Sequence, residues 1–174
     1  MKYRYAKIML IVLALTCFTP AAIAQDESVE INVAMSDAWY NPLTNGQGLF
    51  IIVWEGLNTV FAAWFTFDTE RPPDDVTANL GEPGHRWLTA QGTYEGSVAT
   101  LNLYQTEGGV FDAPQPPAVT DQEPIGTATI DWADCNSALM TYSIPELGFE
   151  DRGVLLTRVV NENVKLCEDL QPDG

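Results

Sequence analysis

The feature that most constrains the fold of this chain is a series of short runs rich in β-branched and aromatic residues, with no amphipathic helix of useful length between them. The runs are five to eight residues long and are bounded by Gly, Pro, Asn and Asp, which is typical of strands and turns. Since crossover helices are missing, neighbouring strands are expected to pair antiparallel. The fold class predicted is all-β, an eight-stranded antiparallel meander that forms an up-and-down barrel or a two-sheet sandwich. The predicted strands are Val29–Ala34, Gly48–Glu55, Val60–Phe67, Arg86–Gln91, Ser97–Tyr104, Ile125–Trp132, Ala138–Ile144 and Val154–Val160.

Hydrophobic alternation predicts which side of some strands faces the core. In Ser97–Tyr104 and Ile125–Trp132, apolar residues alternate with polar ones, so each strand has one dry face and one wet face. The residues expected on the dry face are Ala99, Leu101, Leu103, Ala128, Ile130 and Trp132.

Two other segments, Leu49–Trp54 and Phe61–Phe65, are apolar on both faces or nearly so. Such a strand needs cover on both sides. The cover is expected from the first strand, from the C-terminal tail or from a second copy of the chain, and the last alternative would make a homodimer.

The connections differ in length in a regular order. In a meander, successive connections alternate between the two ends of the sheet, so the short ones are predicted at one end and the long ones at the other. Long connections gathered at one end form a rim, as in ligand-binding barrels. The short connections are Gly56–Thr59, Gly92–Gly96 and Ala133–Ser137, and the long ones are Ser36–Gln47, Asp68–His85, Gln105–Pro124 and Pro145–Gly153.

The first 24 residues are predicted to be a signal peptide. Its parts are a positive start, an apolar stretch and small residues before the cut: Lys2, Arg4 and Lys7, then Ile8–Phe18, then Ala22-Ile23-Ala24 before Gln25. The apolar stretch is too short to span a bilayer as a helix. No later stretch approaches 18 apolar residues, so residues 25–174 are expected to form a single all-β domain without a transmembrane span. The domain is predicted to be exported, either to the periplasm or out of the cell.

The cysteines agree with export. Cys17 would leave with the leader, although a lipoprotein anchored through Cys17 is an alternative, for which Leu15-Thr16 is a poor signal. Cys135 and Cys167 remain as an even pair in an oxidising compartment, which predicts a disulfide. The bond would tie the C-terminal tail, residues 161–174, to the short-connection end and would stabilise the fold by roughly 3–4 kcal/mol.

The charge limits the partners. The chain has 24 acidic residues against eight lysines and arginines, a net charge of −16, and three of those basic residues lie in the leader. Binding of nucleic acid needs Lys and Arg to displace counterions, so no nucleic-acid partner is expected. A strongly negative surface also keeps an exported protein dispersed in solution.

Five residues of the predicted rim are candidates for ligand binding: Trp39, Tyr40, Asn41, Trp87 and Phe111. Aromatic faces and an amide suit a small molecule, a glycan or a peptide. There is an alternative, in which Pro42 and Gly46 form a turn and Trp39 only caps the core. Phe111 would either anchor the Pro-rich connection to the rim or cover a ligand.

Signals for catalysis are weak, and no cofactor or metal site is predicted. His85 is the only histidine, and there is no Gly-x-Ser-x-Gly motif. The leading interpretation is therefore a non-catalytic binding domain. The alternatives are a structural module that associates through the apolar Phe50–Phe65 surface and, third, a hydrolase that uses a pair of carboxylates. Arg158, in an apolar context, is expected to pair with a buried carboxylate such as Asp131 or Asp68, in a structural role.

Four short motifs follow one another through the mature chain. They are Trp-Tyr-Asn-Pro-x-x-x-Gly-x-Gly at 39–48, Trp-Phe-Thr-Phe-Asp at 64–68, Asp-Cys-x-x-Ala-x-x-x-Tyr at 134–142 and the segment Gly153–Arg158. This set resembles a family of secreted β domains of Gram-negative bacteria, which implies an exported all-β fold and no particular reaction. The first three residues are also similar to the opening strand of avidin-type barrels, where the matching Asn contacts the ligand, although Pro42-Leu43-Thr44 replaces the Gly-Ser of that pattern.

Overall fold

The computed structural model describes residues 29–78, 80–81, 83–120 and 123–172. The predicted signal peptide lies outside these residues. The regular secondary structure of the described chain is almost all β-strand, and none of the helices there is long and apolar enough to cross a membrane. The strands are β1 (Asp37–Tyr40), β2 (Gly48–Trp54), β3 (Thr59–Phe67), β4 (His85–Glu95), β5 (Val98–Glu107), β6 (Val119–Thr120), β7 (Gly126–Trp132), β8 (Ser137–Ile144) and β9 (Phe149–Arg158).

Eight of these strands close into an up-and-down barrel, which decides between the barrel and the sandwich. Each strand pairs antiparallel with its neighbour along the chain, and the short β6 pairs only with the end of β5. The barrel closes between β1 and β9, where Trp39 is opposite Arg158. Closure leaves no barrel strand with a free edge. Gly92 permits one close approach, since a Cβ there would overlap the carbonyl oxygen of Thr100 on β5.

The first strand is not where the sequence predicted it. Residues Val29–Ala34 do not form a strand; the chain there ends in a 3₁₀ turn at Val33–Met35, and β1 begins only at Asp37. The reason is a local cap, because the side chain of Asn32 accepts a hydrogen bond from the backbone N–H of Ala34. Apart from Val33, the apolar residues of this segment, among them Met35, are buried under one end of the barrel.

The alternation predicted for two strands is confirmed. The dry-face residues of β5 and β7 are all buried in the barrel interior. The same parity continues around the barrel, so the interior is filled by residues two apart on each strand. The largest fully buried side chains include Trp39, Trp132, Ile51 and Met140.

The outward side chains of β2 and β3 are apolar, as the sequence indicates, but they are not covered by the first strand or the C-terminal tail. Phe50 is 55% exposed and Phe65 is 40% exposed. Their rings meet edge to face with centroids 5.2 Å apart. Within the described residues, this outer wall therefore faces solvent.

Three of the four connections predicted to be long are long and lie at one end of the barrel, but the fourth, 145–148, has four residues, as many as the short connections 55–58 and 133–136. The described residues of the connections 41–47, 68–78, 80–81, 83–84, 108–120, 123–125 and 145–148 lie at one end of the barrel, called here the long-loop end. Residues 55–58, 96–97 and 133–136 lie at the other, the short-loop end. The last long connection is shorter than predicted because β9 begins at Phe149 instead of Val154.

The short-loop end is closed by the first and last described segments of the chain and by the predicted disulfide. Cys135 is bonded to Cys167, with 5.8 Å between their Cα atoms. Cys167 lies on the only α-helix of the described chain, α1 (Val164–Asp169), and is fully buried. The Asn32 amide donates to the carbonyl of Cys167 over 3.1 Å, which joins the N-terminal segment to the helix.

Asp134, in the connection that carries Cys135, predicts a small acid dependence of stability. Burial alone would raise the pKa of its carboxyl, but hydrogen bonds from Ser137 and Asn136 outweigh that and lower it. A carboxyl whose pKa is lower in the folded state stabilises the fold above its unfolded pKa and loses that contribution as the pH falls through the folded value. We expect the stability difference between wild type and Asp134→Asn to shrink below about pH 4. Urea unfolding of both proteins between pH 7 and 2.5 measures this difference in the free energy of unfolding, and a variant of an exposed carboxylate, Asp75→Asn, is the control. A difference that stays constant over this pH range would contradict the prediction.

Candidate functional site

A cavity of about 710 Å³ opens at the long-loop end of the barrel. Its walls are interior-facing side chains near the long-loop ends of their strands, and its rim is formed by the connections. The wall residues include Leu49, Trp64, Leu88, Tyr142, Val154 and Leu156, and the rim residues include Asn41, Thr44, Gln47, Asp68, Thr69 and Leu147. The volume lies within the range of pockets that hold small organic ligands.

Three rings form one continuous wall, called here the aromatic row: Trp64, Tyr142 and Phe149. The Trp64 and Tyr142 rings meet edge to face with centroids 4.9 Å apart, and those of Tyr142 and Phe149 with centroids 6.1 Å apart. Edge-to-face packing holds the rings in fixed orientations. Trp64 is only 8% exposed, so the row runs from the buried part of the cavity up to the mouth.

Polar groups are placed towards the mouth. The hydroxyl of Thr66 donates to Oε1 of Gln47 over 2.7 Å, which fixes that amide on the cavity side. Arg86 forms an ion pair of 2.6 Å with Asp68 and also donates to two backbone carbonyls. Its charge is therefore matched by that carboxylate. The lining as a whole suits non-covalent binding of a molecule with an apolar body and a polar end.

Below the cavity, the interior is filled by a charged residue that is fully paired. Arg158, two residues beyond Leu156 on the same face of β9, donates to Asp37 Oδ2 over 2.7 Å and to the carbonyls of Cys135 and Ala34 over 2.6 and 3.0 Å. Its guanidinium also lies 4.6 Å from the centroid of the Trp39 ring. The prediction that Arg158 pairs with a carboxylate inside the protein is confirmed, but its partner is Asp37 and neither of the two examples, Asp131 and Asp68. Asp131 instead accepts from Ser97, in the connection before β5, and Asp68 accepts from Arg86.

The structure brings two of the five predicted ligand-binding residues to the cavity. Asn41 and Trp87 are part of its lining. Trp39 is 1% exposed and its indole N–H donates to the carbonyl of Met35, so it fills the core in agreement with the alternative interpretation. Tyr40 is half-buried outside the lining. Phe111 is 83% exposed and does not anchor its connection to the rim.

The residues that sequence reasoning missed are the inner walls of the cavity, above all Trp64 and Tyr142. A signal for them existed in the alternation. Trp64 continues the inward parity of Val60 and Ala62, and Tyr142 continues that of Met140. Inward residues in the last positions of a strand before the long-loop end line the mouth of a closed barrel, and both residues lie within three residues of that end.

Comparison of this chain with models of protein families, with curated proteins and with solved structures found no match in any of the three, so the function of the cavity is inferred from its own geometry and chemistry.

Proposed function

We propose that this barrel binds a small organic molecule in the cavity at its long-loop end and does not transform it. The observation that carries the proposal is the cavity itself, about 710 Å³ in volume and walled on one side by the aromatic row. In a closed barrel with such a space near one end, the wall residues belong to rigid strands. The rim residues belong to connections, whose length and sequence can vary.

The distribution of polarity inside the cavity supports binding of a molecule with an apolar body. The inner part is formed by side chains such as Leu88, Leu156 and Trp64, and the amides and hydroxyls stand nearer the rim. Ligand pockets combine apolar walls with a few polar groups that fix orientation. Oδ1 of Asn41 accepts from the N–H of Leu43, and no hydrogen bond of its amide nitrogen is seen within the described residues. That nitrogen is a candidate donor to the polar end of a ligand.

Filling the cavity is expected to abolish binding. Val154 lines the cavity and Leu155, the next residue on β9, is exposed on the outer wall. N-phenyl-1-naphthylamine, an uncharged probe whose fluorescence increases in apolar surroundings, is expected to bind the wild type with a Kd near 10 µM or tighter, about −7 kcal/mol. Val154→Trp should weaken this binding at least about tenfold, because the indole occupies the space of the probe.

Leu155→Trp is the matched control, since it adds the same side chain on the same strand but on the outside. It should leave the affinity for the probe unchanged. Circular dichroism and thermal unfolding of both variants check that the barrel is folded. Equal affinity in wild type and Val154→Trp would show that the probe binds elsewhere and would overturn the assignment of the cavity.

A second candidate function is self-association through the outer wall of β2 and β3, called here the outer aromatic face. Phe50, Ile52, Trp54 and Phe65 are each at least 40% exposed, and the outward positions of these two strands carry no charged residue. We propose a second copy of the chain as the occupant. Two copies that each carry a net charge of −16 repel one another except where the surface is uncharged. A closed barrel has no free edge to offer, so the contact is face to face.

The outer aromatic face spans few strands, so the dimer is expected to be weak, with a Kd near 100 µM. Sedimentation velocity at about 10 and 500 µM should show a concentration-dependent dimer in wild type. Phe50→Lys should remove it, and Thr100→Lys, on the polar outer face of β5, should not. A monomer at both concentrations would contradict the proposal.

A further inference from the structure

We propose that the ligand of the cavity is an organic cation, a protonated amine or quaternary ammonium group carried on an apolar body. The inference rests on the proposed function and names the chemical class of its ligand. Two independent features of the long-loop end point to it: the faces offered by the aromatic row, and the carboxylates that surround the mouth.

The aromatic row offers the kind of surface to which cations bind. Aromatic faces attract ammonium and guanidinium groups within about 6 Å of the ring centroid, and the attraction is larger in a site removed from water. The row already has a cation at its outer end, because the guanidinium of Arg152 lies 5.4 Å from the centroid of the Phe149 ring. Trp64 and Tyr142 line the cavity further in, so an ammonium group bound there would lie beside rings of the same kind.

The approach to the cavity is acidic on two sides. An open depression that shares Ile125 with the cavity is lined by Glu123 and Glu146 and by no basic residue. A second depression, which shares Asp68 with the cavity, is lined by two further carboxylates, Glu70 and Asp74, and by Arg71; Asp68 itself is paired with Arg86. Clefts lined by one sign of charge concentrate ligands of the opposite sign. An anionic ligand would have to pass these carboxylates.

The arginine in the cavity lining does not reverse this preference. Arg86 pairs its Nη2 with Asp68 at 2.6 Å and donates from Nη1 to the carbonyls of Pro83 and His85 at 2.7 Å each. An anionic ligand at Arg86 would compete with Asp68, whose charge already matches that of the guanidinium. The cavity therefore combines aromatic faces with a surrounding excess of negative charge.

Three probes of matched size separate the charge of the ligand from its shape. They are 2-phenylethylamine, which is protonated at pH 7, 2-phenylethanol, which is neutral, and phenylacetate, which is anionic. Titration calorimetry on the mature protein should show the amine binding at least about tenfold more tightly than the alcohol, and phenylacetate most weakly of all. The preference for the amine should decrease as salt is raised from about 20 to 500 mM, since screening weakens the contribution of the surrounding carboxylates.

Removal of two carboxylates tests the electrostatic part directly. The double variant Glu123→Gln, Glu146→Gln should lower the affinity for 2-phenylethylamine by about three- to tenfold and leave the affinity for 2-phenylethanol unchanged. Glu95 is an exposed carboxylate at the short-loop end, so Glu95→Gln is the control. It should change neither of these two affinities. Both variants alter exposed side chains, so the fold is expected to be retained.

The outcomes distinguish the charge of the ligand from the existence of the site. If the alcohol binds as tightly as the amine, and Val154→Trp removes both, the cavity is a ligand site and the inference of a cation is wrong. If phenylacetate binds best, the inference is wrong in sign. If none of the three probes binds in a way that Val154→Trp abolishes, the inference fails; if N-phenyl-1-naphthylamine also fails, so does the proposed function.

Discussion

Replacement of Arg158 by methionine is expected to lower the free energy of unfolding by about 3–5 kcal/mol, because it leaves a nearly buried carboxylate without its cation. Arg158 is fully buried and the side chain of Asp37 is 11% exposed. The two residues are 121 positions apart in sequence and lie on the strands that close the barrel. The same substitution removes donors from the carbonyls of Cys135 and Ala34. The substitution therefore weakens both the junction of β1 with β9 and the packing of the segments that carry Ala34 and Cys135.

The chain contains its own control for this experiment. Arg86 and Asp68 form an ion pair of nearly the same length, 2.6 against 2.7 Å, but their side chains are 47% and 38% exposed. Arg86→Met is therefore expected to cost less than about 1 kcal/mol, since exposed ion pairs contribute little. Urea unfolding followed by tryptophan fluorescence measures both. A cost below about 1 kcal/mol for Arg158→Met would show that Asp37 is satisfied without it, for instance by Asn163, whose amide donates to it over 3.2 Å.

Much of the architecture follows from local patterns. The parity of residues such as Leu101 and Ile130 predicts which side of β5 and β7 is buried, and the lengths of the connections predict which end carries the long loops. Both patterns depend on geometry that is the same in every antiparallel meander. Closure of the sheet, which depends on the pairing of β1 with β9, involves residues more than a hundred positions apart and has no local signal.

The site was predicted less completely, and the reason is the position of the aromatic residues relative to the barrel wall. Trp39 and Trp64 both belong to strands with bulky apolar residues, and the sequence does not tell which of them faces a cavity. The structure shows that Trp39 is covered by Arg158 and Trp132, whereas Trp64 lies beside open space. The sequence does not predict Asp37 as the partner of Arg158, because the two residues are far apart in the chain, as are the two strands that close the barrel. Asp37 comes beside Arg158 only when β1 joins β9.

The outer aromatic face illustrates a different limit. The sequence shows that Leu49–Trp54 is apolar on both sides, and that pattern predicts cover for both. Inward residues such as Leu49 and Ile51 are buried by the barrel itself, but outward residues such as Phe50 remain exposed within the described chain. The apolar pattern of a strand predicts that its outward face is buried, but what packs on that face depends on the surface of the other molecule.

Loss of the disulfide is expected to lower the free energy of unfolding by about 3–4 kcal/mol while leaving the cavity able to bind its ligand. Cys135 and Cys167 are 32 residues apart in sequence, so the bond restricts the unfolded chain over a loop of that length. The double variant Cys135→Ser, Cys167→Ser removes the bond without leaving a free thiol. Urea unfolding of the wild type, the double variant and the reduced wild type should give the same loss for the last two.

The position of the bond explains why binding and stability should separate. The cystine joins α1 and the 133–136 connection at the short-loop end, whereas Trp64, Tyr142 and Val154 line the cavity at the opposite end. Below the urea concentration at which unfolding begins, the double variant should bind N-phenyl-1-naphthylamine with an affinity within about threefold of the wild type. A fall in affinity of more than tenfold in a variant that is still folded would show that the two ends are coupled through the interior. Coupling of this kind would run through Arg158 and Trp39, which lie between the disulfide and the cavity. Arg158 donates to the carbonyl of Cys135, so a shift of Cys135 could be passed on to Arg158 and to the Trp39 ring beside it.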